Sequence, residues 1–170
     1  MRLRKLEKKD APLMYEWMHD EDIVKDLYTD FMSKTIDDCE CFIKMSEDTS
    51  KNLNLAVVND EDEYMGTVSL KHIDRQNKNA EFAITIRSCA TGKGFSSWAM
   101  KQIIDIAFKE YQLEEVYWCV SYKNARAVRF YDKNGYIRTT NVPDIIKNNY
   151  TEDLLKDFYW YCVSLSLIHI

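Results

Sequence analysis

Two of the chain's four glycines flank a lysine in Thr91-Gly92-Lys93-Gly94-Phe95-Ser96-Ser97. The run follows Ala80-Glu81-Phe82-Ala83-Ile84-Thr85-Ile86, which reads as a strand, and precedes a stretch with helical periodicity. Such a junction can bind an anion. The first turn of a helix presents unpaired N–H groups and a partial positive charge, and glycine lets the ligand approach the backbone. The loop is not a P-loop, which needs Ser or Thr after its Lys and a first Gly five residues before the second. It is not the Rossmann fingerprint either, because the glycine spacing differs and no acidic residue closes a second strand at the required distance. Taken alone, Gly-Lys-Gly reads first as an ordinary strand-to-helix turn that uses glycine for geometry.

Around this junction the pattern predicts an orderly α/β chain. Met1 to Leu6 suits an edge strand, Asp10 a helix N-cap with Pro12 in the first turn, and Thr35 with Asp38 a capping box for a second helix ending near Asp48. Residues 20–30 read as a loop or short helix. Strands are expected at Leu53–Val58, Tyr64–Ile73 and from Ala80, the last two pairing antiparallel, with Gly66 marking a bulge or a close backbone approach. Phe95, Trp98, Ala99, Gln102, Ile103 and Ile106 follow helical spacing. The apolar run Val116–Val120 is a buried strand, so the strand–helix–strand unit is parallel and right-handed. Residues 124–134 form a helix closed by Gly135, and Tyr136–Thr140 a strand. Asn141–Asp157 is a polar excursion, and Phe158–Leu165 a final strand whose exposure would allow a homodimer. The fold class is α/β (α+β). One domain over 1–170 has a mixed, mostly antiparallel sheet with one parallel crossover, helices on both faces and a ligand-binding core over about 80–140.

At 170 residues, 46% hydrophobic and 30% charged, the chain is the size of one globular domain. No run of about 18 apolar residues is present to span a bilayer, and Met1-Arg2-Leu3-Arg4-Lys5 does not begin a signal peptide, so the expected setting is the cytoplasm, with no membrane partner. The net charge of −5 argues against a nucleic-acid surface. Five cysteines, Cys39, Cys41, Cys89, Cys119 and Cys162, show no disulfide or metal spacing, and His19, His72 and His169 are widely scattered. No metal is expected.

From Ala80 to Tyr136 the order of strand, Gly-Lys-Gly, helix, strand, Asn, helix, Tyr and Gly-Tyr resembles the core of the GCN5-related N-acetyltransferase (GNAT) superfamily. That family's acetyl-coenzyme A motif runs hydrophobic, four free positions, Gln or Arg, two free positions, Gly, one free position, Gly or Ala. Ile86, Thr91, Gly94 and Ser96 occupy these places, with Thr91 and Ser96 departing from the pattern. The block Asn124-Ala125-Arg126-Ala127-Val128-Arg129-Phe130-Tyr131-Asp132-Lys133-Asn134-Gly135-Tyr136 is similar to the family's second signature. The two blocks cover about a third of the chain, and the resemblance leans to the subgroup holding ribosomal-protein N-terminal and bacterial spermidine/spermine acetyltransferases.

The resemblance implies acetyl transfer from acetyl-CoA, as co-substrate, to a primary amine in a ternary complex. Backbone N–H groups of Gly92, Lys93, Gly94, Phe95 and Ser96 would hold the pyrophosphate, with Thr91 contributing a hydroxyl. Strand backbone at Ile84 and Ile86 would pair with the pantetheine, Asn124 would anchor it, and Arg126 would meet a phosphate. Tyr131, a phenol protonated at neutral pH, is the expected general acid for the departing thiolate, the alternative being a core-packing role. Glu81 is either the general base or a structural carboxylate, and His72 is a weaker candidate base. Neither Cys89 nor Cys119 has a motif that lowers a thiol pKa, so no acetyl-cysteine route is expected. Glu21, Asp22, Asp26, Asp30, Asp37, Asp38 and Glu40 are either a solvated surface or the cation-neutralising wall of an amine site. The acceptor would be a small-molecule amine, a polyamine or amino sugar. The alternatives are a protein N-terminus, or a CoA-binding regulatory module without turnover, which the departures at Thr91 and Ser96 permit.

Overall fold

The computed structural model describes residues 1–168. Among them, seven strands form one sheet: β1 (Arg2–Lys5), β2 (Leu53–Val58), β3 (Tyr64–Asp74), β4 (Asn79–Ile86), β5 (Glu115–Ser121), β6 (Ile137–Arg138) and β7 (Phe158–Ser164), in the order β1-β2-β3-β4-β5-β7-β6. The β4–β5 pair is parallel and every other pair antiparallel. The helices are α1 (Ala11–Met18), α2 (Glu21–Val24), α3 (Ile36–Met45), α4 (Phe95–Lys109), α5 (Ala125–Lys133), α6 (Asp144–Lys147), α7 (Glu152–Leu155) and α8 (Leu165–Ile168).

Alternation along β2 shows how the two faces are divided. Ala56 and Val58 pack with Met14, Trp17, Cys39 and Ile43 of α1 and α3. Val57 faces the opposite layer, where Ala99, Met100 and Ile103 of α4 meet Val68, Phe82 and Trp118. The expected helices on both faces and the single parallel crossover are both present.

β4 and β5 pair over only three positions, Asn79 with Glu115, Ala80 with Val116 and Glu81 with Tyr117. Beyond Glu81 the two strands diverge, and β5 gives its other edge to β7 from Glu115 to Ser121. Among the described residues, the edge of β4 from Phe82 to Ile86 that faces β5 therefore has no strand partner, and a crevice opens there.

Several local expectations are corrected. Asp10 does not cap α1: its backbone is already helical, and its buried carboxylate accepts instead from the Glu7 N–H and from both Nη atoms of Arg4, each at 2.8 Å. The strand expected at 136–140 shortens to Ile137–Arg138, because only these two residues pair with β7. The excursion 141–157 holds α6 and α7, anchored by Val142 and Ile146 in a small core with Tyr117 and Trp160. The last strand is not an exposed edge, since it is paired on both sides by β5 and β6. Residues 20–30 include the short helix α2, and the Thr35–Asp38 capping box is present. Gly66 serves both roles proposed for it: it lies opposite the β2 irregularity at Val57/Val58, and a Cβ there would stand 2.3 Å from the Thr85 carbonyl.

Candidate active site

The end of β4 is fixed before the glycine loop begins. Buried Arg87 donates through Nε and Nη2 to Glu16 on α1 (3.0 Å each) and through Nη1 to Glu63 (2.7 Å) and the Tyr64 carbonyl (2.9 Å). These bonds hold a 3-10 turn at Ser88–Ala90 against the sheet and so aim the loop that follows. Gly92 (φ +76) and Gly94 (φ +86) take left-handed backbone, which costs glycine nothing and other residues strain. Gly94 is the N-cap of α4, whose first intrahelical bond runs from the Trp98 N–H to the Gly94 carbonyl. The N–H groups of Phe95, Ser96 and Ser97 precede that bond and have no partner in the helix.

This loop forms one end of a cavity of about 520 Å³ that runs along the β4–β5 opening. Thr91, Gly92, Gly94 and Ser96 line that end, and Phe82 to Ile86 form the wall along β4. The Thr91 hydroxyl donates to the Arg87 carbonyl at 3.3 Å. The side chains of Lys93 and Phe95 lie outside the cavity. Phe95 is buried in the core, Lys93 borders a separate depression with Glu63 and Arg87, and the Lys93 N–H approaches the Ala90 carbonyl at 3.4 Å.

Asn124 and Arg126 line the side of α5. Asn124 Oδ1 accepts from the Ala127 N–H at 3.1 Å, capping the helix and leaving its amide N–H groups for another partner. Tyr131 projects from the same helix into an aromatic cluster, its ring 5.3 Å from Trp118 and 5.1 Å from Tyr161, and it borders the cavity. Its hydroxyl bonds to no group among the described residues. Burial pushes its pKa above the ordinary phenol value, so it holds its proton at neutral pH.

At the far end lies a polar cluster that sequence reasoning only partly anticipates. Glu81 is 1% exposed and still lines the cavity. The Tyr150 hydroxyl donates to its Oε1, Lys71 Nζ stands 3.6 Å from the same oxygen, and His72 Nε2 stands 3.6 Å from Oε2. Cys119 also lines this end, its thiol pushed up to about 12 by burial and by the charge of Glu81, which leaves it a poor nucleophile. Cys89 is exposed and borders the other depression. Tyr150, Lys71 and Arg87 escaped the sequence reading. The apolar residues Ile145, Ile146 and Tyr150 inside a polar stretch are the signal that this excursion folds back.

Of the acidic residues, Asp22 and Asp26 line the cavity rim beside Tyr28. The Asp38 carboxylate accepts from the Thr35 N–H at 2.8 Å in the capping box of α3, Glu40 meets Lys8 at 3.2 Å, and Asp30 accepts from the Ser33 N–H at 3.3 Å. Across the mouth, Tyr28 and Tyr150 bring their rings to 5.4 Å. Among the described residues no three His, Cys, Asp or Glu side chains are grouped to hold a metal, and His169 lies outside those residues. No helix among them is long and apolar enough to cross a membrane.

A model of the acetyltransferase (GNAT) domain matches residues 1–137. Among curated proteins, the chain is 27% identical over 145 residues to an uncharacterized N-acetyltransferase p20 of Bacillus licheniformis, covering 80% of this chain and 81% of that one. It is 26% identical over 136 residues to the spermidine N(1)-acetyltransferase of Escherichia coli K12, covering 80% of this chain and 72% of that one. Among solved structures, a spermidine N-acetyltransferase from Vibrio cholerae in complex with CoA and spermine superposes with a TM-score of 0.79 at 21% identity, over 97% of this chain and 95% of that one.

Proposed function

The chain belongs to the GNAT acetyltransferase family, and we propose that it works as a single domain moving an acetyl group from acetyl-CoA to a primary amine of a polyamine, by direct transfer in a ternary complex. The observation that carries the choice of acceptor is the far end of the cavity. Asp22 and Asp26 stand at its rim, Glu81 is buried within it, and the Tyr28 and Tyr150 rings, 5.4 Å apart, narrow its mouth. A slender, multiply charged amine fits such an end. A polypeptide N-terminus needs an open groove, and an amino sugar a broader one. The spermidine acetyltransferases among the relatives agree with this reading.

The residues present suit the donor. Left-handed Gly92 and Gly94 and the free N–H groups of Phe95, Ser96 and Ser97 fit a pyrophosphate. The partnerless edge of β4 over Ile84 and Ile86 can receive the amide groups of an extended pantetheine arm, and Asn124 has amide N–H groups to spare. Arg126 lines the same cavity and would meet a phosphate of the coenzyme. When bound, acetyl-CoA supplies a thioester whose carbonyl the amine attacks. A backbone N–H of the open β4 edge steadies the charge that develops on that oxygen. Glu81 takes a proton from the ammonium, and Tyr131 gives its phenolic proton to the departing thiolate.

The test is an amine-acceptor screen that reads free thiol released from acetyl-CoA with spermidine, spermine, aminoglycosides and peptides. Polyamine turnover well above the other classes is expected. Turnover confined to amino sugars or peptides would overturn the acceptor, and thiol release with none of these amines would oppose the reading as a whole.

A further inference from the structure

Acetylating an ammonium at neutral pH releases two protons from nitrogen. One ends on the coenzyme thiol, and the other must leave the protein once per turnover. A base that takes it must be able to lose it again, and Glu81 is only 1% exposed.

Its surroundings offer an exit outside the cavity lining. Glu81 Oε1 is engaged by Tyr150 and approached by Lys71, whereas Oε2 is buried with no hydrogen-bond partner among the described residues. Facing Oε2 at 3.6 Å is His72 Nε2, on a side chain that is 32% exposed. Adjacent residues of a regular strand point to opposite faces, yet Lys71 and His72 both reach Glu81. The register of β3 on β4 breaks between Lys71 and Asp74, and His72 adopts left-handed backbone (φ +53), held by its N–H donating to Asn52 Oδ1 at 3.1 Å. This uncommon conformation turns the imidazole toward the buried carboxylate. The other neighbours cannot serve. Lys71 and Tyr150 face Oε1 rather than Oε2, and the Cys119 thiol, pushed up to about 12, lines the cavity.

We propose that His72 is the proton exit of the active site, taking the substrate's proton from Glu81 Oε2 on Nε2 and releasing a proton from Nδ1 to water. The proposal rests on Glu81 being the general base. The steps balance: the ammonium N–H becomes a Glu81 O–H, that proton moves to the imidazole, loss of the opposite ring proton leaves a neutral histidine protonated on Nε2, and proton exchange with water returns the Nδ1–H tautomer before the next turnover. Burial outweighs the attraction of Glu81, and Lys71 adds to it, so the His72 pKa lies below its ordinary value and the ring is a neutral acceptor at pH 7. His72 acts on substrate only through Glu81 and is a positioning and relay residue.

The experiment compares the parent protein with His72→Asn and Glu81→Gln at saturating acetyl-CoA and polyamine, over a range of imidazole concentrations at constant pH and ionic strength. Asparagine tolerates left-handed backbone and cannot relay a proton. Circular dichroism establishes that each variant is folded, and His72→Gln replaces His72→Asn if the latter is not. The expected result is a kcat at least tenfold lower for His72→Asn in dilute, non-imidazole buffer, rising with added imidazole, while the parent is indifferent to buffer. A kcat within twofold of the parent, or a loss that imidazole does not relieve, overturns the relay. If Glu81→Gln is slow and His72→Asn is normal, only the relay fails. Parent-like kcat in Glu81→Gln removes Glu81 as base and the relay with it.

Discussion

The Tyr150 hydroxyl donates to Glu81 Oε1 across 69 positions of sequence, fastening the segment between β6 and β7 to a carboxylate at the base of the β4–β5 opening. Removing only that oxygen leaves a buried acceptor short of a partner at a cost of about 1–3 kcal/mol. Tyr150→Phe is therefore expected to lower the melting temperature and to reduce kcat/KM for the amine while the KM for acetyl-CoA stays unchanged. Steady-state kinetics with each substrate varied in turn would show it.

Tyr131 carries the proton for the leaving thiolate in the proposed reaction. Tyr131→Phe keeps the ring among Trp118, Tyr136 and Tyr161. It is expected to lower kcat ten- to a hundredfold, about 1.4–2.8 kcal/mol of barrier, with little change in acetyl-CoA affinity. An unchanged kcat measured in single-turnover mode would exclude the acid role.

Gly94 stands at φ +86 with nothing within 4 Å of a built Cβ, so an alanine there meets no clash, only the cost of left-handed backbone. That cost is about 1–2 kcal/mol, and relaxing it would re-aim the loop N–H groups. Gly94→Ala is expected to raise the KM for acetyl-CoA about tenfold and to leave the KM for the amine alone. Equal effects on both substrates would contradict the assignment of the loop.

With the Cys119 thiol pushed up to about 12, almost no thiolate exists at pH 8. Iodoacetamide at that pH is expected to label exposed Cys41 and Cys89 and to spare Cys119. Cys119→Ala is expected to keep kcat within about threefold, below the tenfold that 1.4 kcal/mol would produce. An acetyl group found on Cys119 by mass spectrometry would establish a covalent route instead.

At the edge of the sheet, Asp10→Ala would strand an Arg4 side chain that is 10% exposed, with a penalty of about 3–5 kcal/mol at most, since Arg4 keeps Asp62. Urea unfolding would measure it. Lys9 and Arg4 hold the neighbouring Asp62 carboxyl down at about 2, below its ordinary 3.8. Because the folded value is the lower one, the stabilisation is present above about pH 4 and is lost as pH falls toward 2.

Much of the fold was legible because it is written in neighbouring residues. The capping pair Thr35 and Asp38, the terminator Gly135 and the strand Leu53–Val58 all stand where local pattern puts them. Asp10 misled because a cap and a buried ion pair call for the same residue type, and Arg4 decides between them only once β1 lies beside it. Residues 141–157 misled because their polarity hides Val142 and Ile146, whose partners Tyr117 and Trp160 lie on β5 and β7.

By itself, then, the sequence determined the order of elements and the glycine loop, since helix periodicity, strand alternation and the backbone freedom of Gly92 and Gly94 are properties of short stretches. Only the tertiary structure decided the far end of the cavity. Which way Glu81 points depends on the register of β4. Whether His72 joins Lys71 beside it depends on a break in β3, and Tyr150 arrives from a segment 69 residues away. Side-chain direction and long-range contact are fixed by packing, and no local stretch of sequence encodes them.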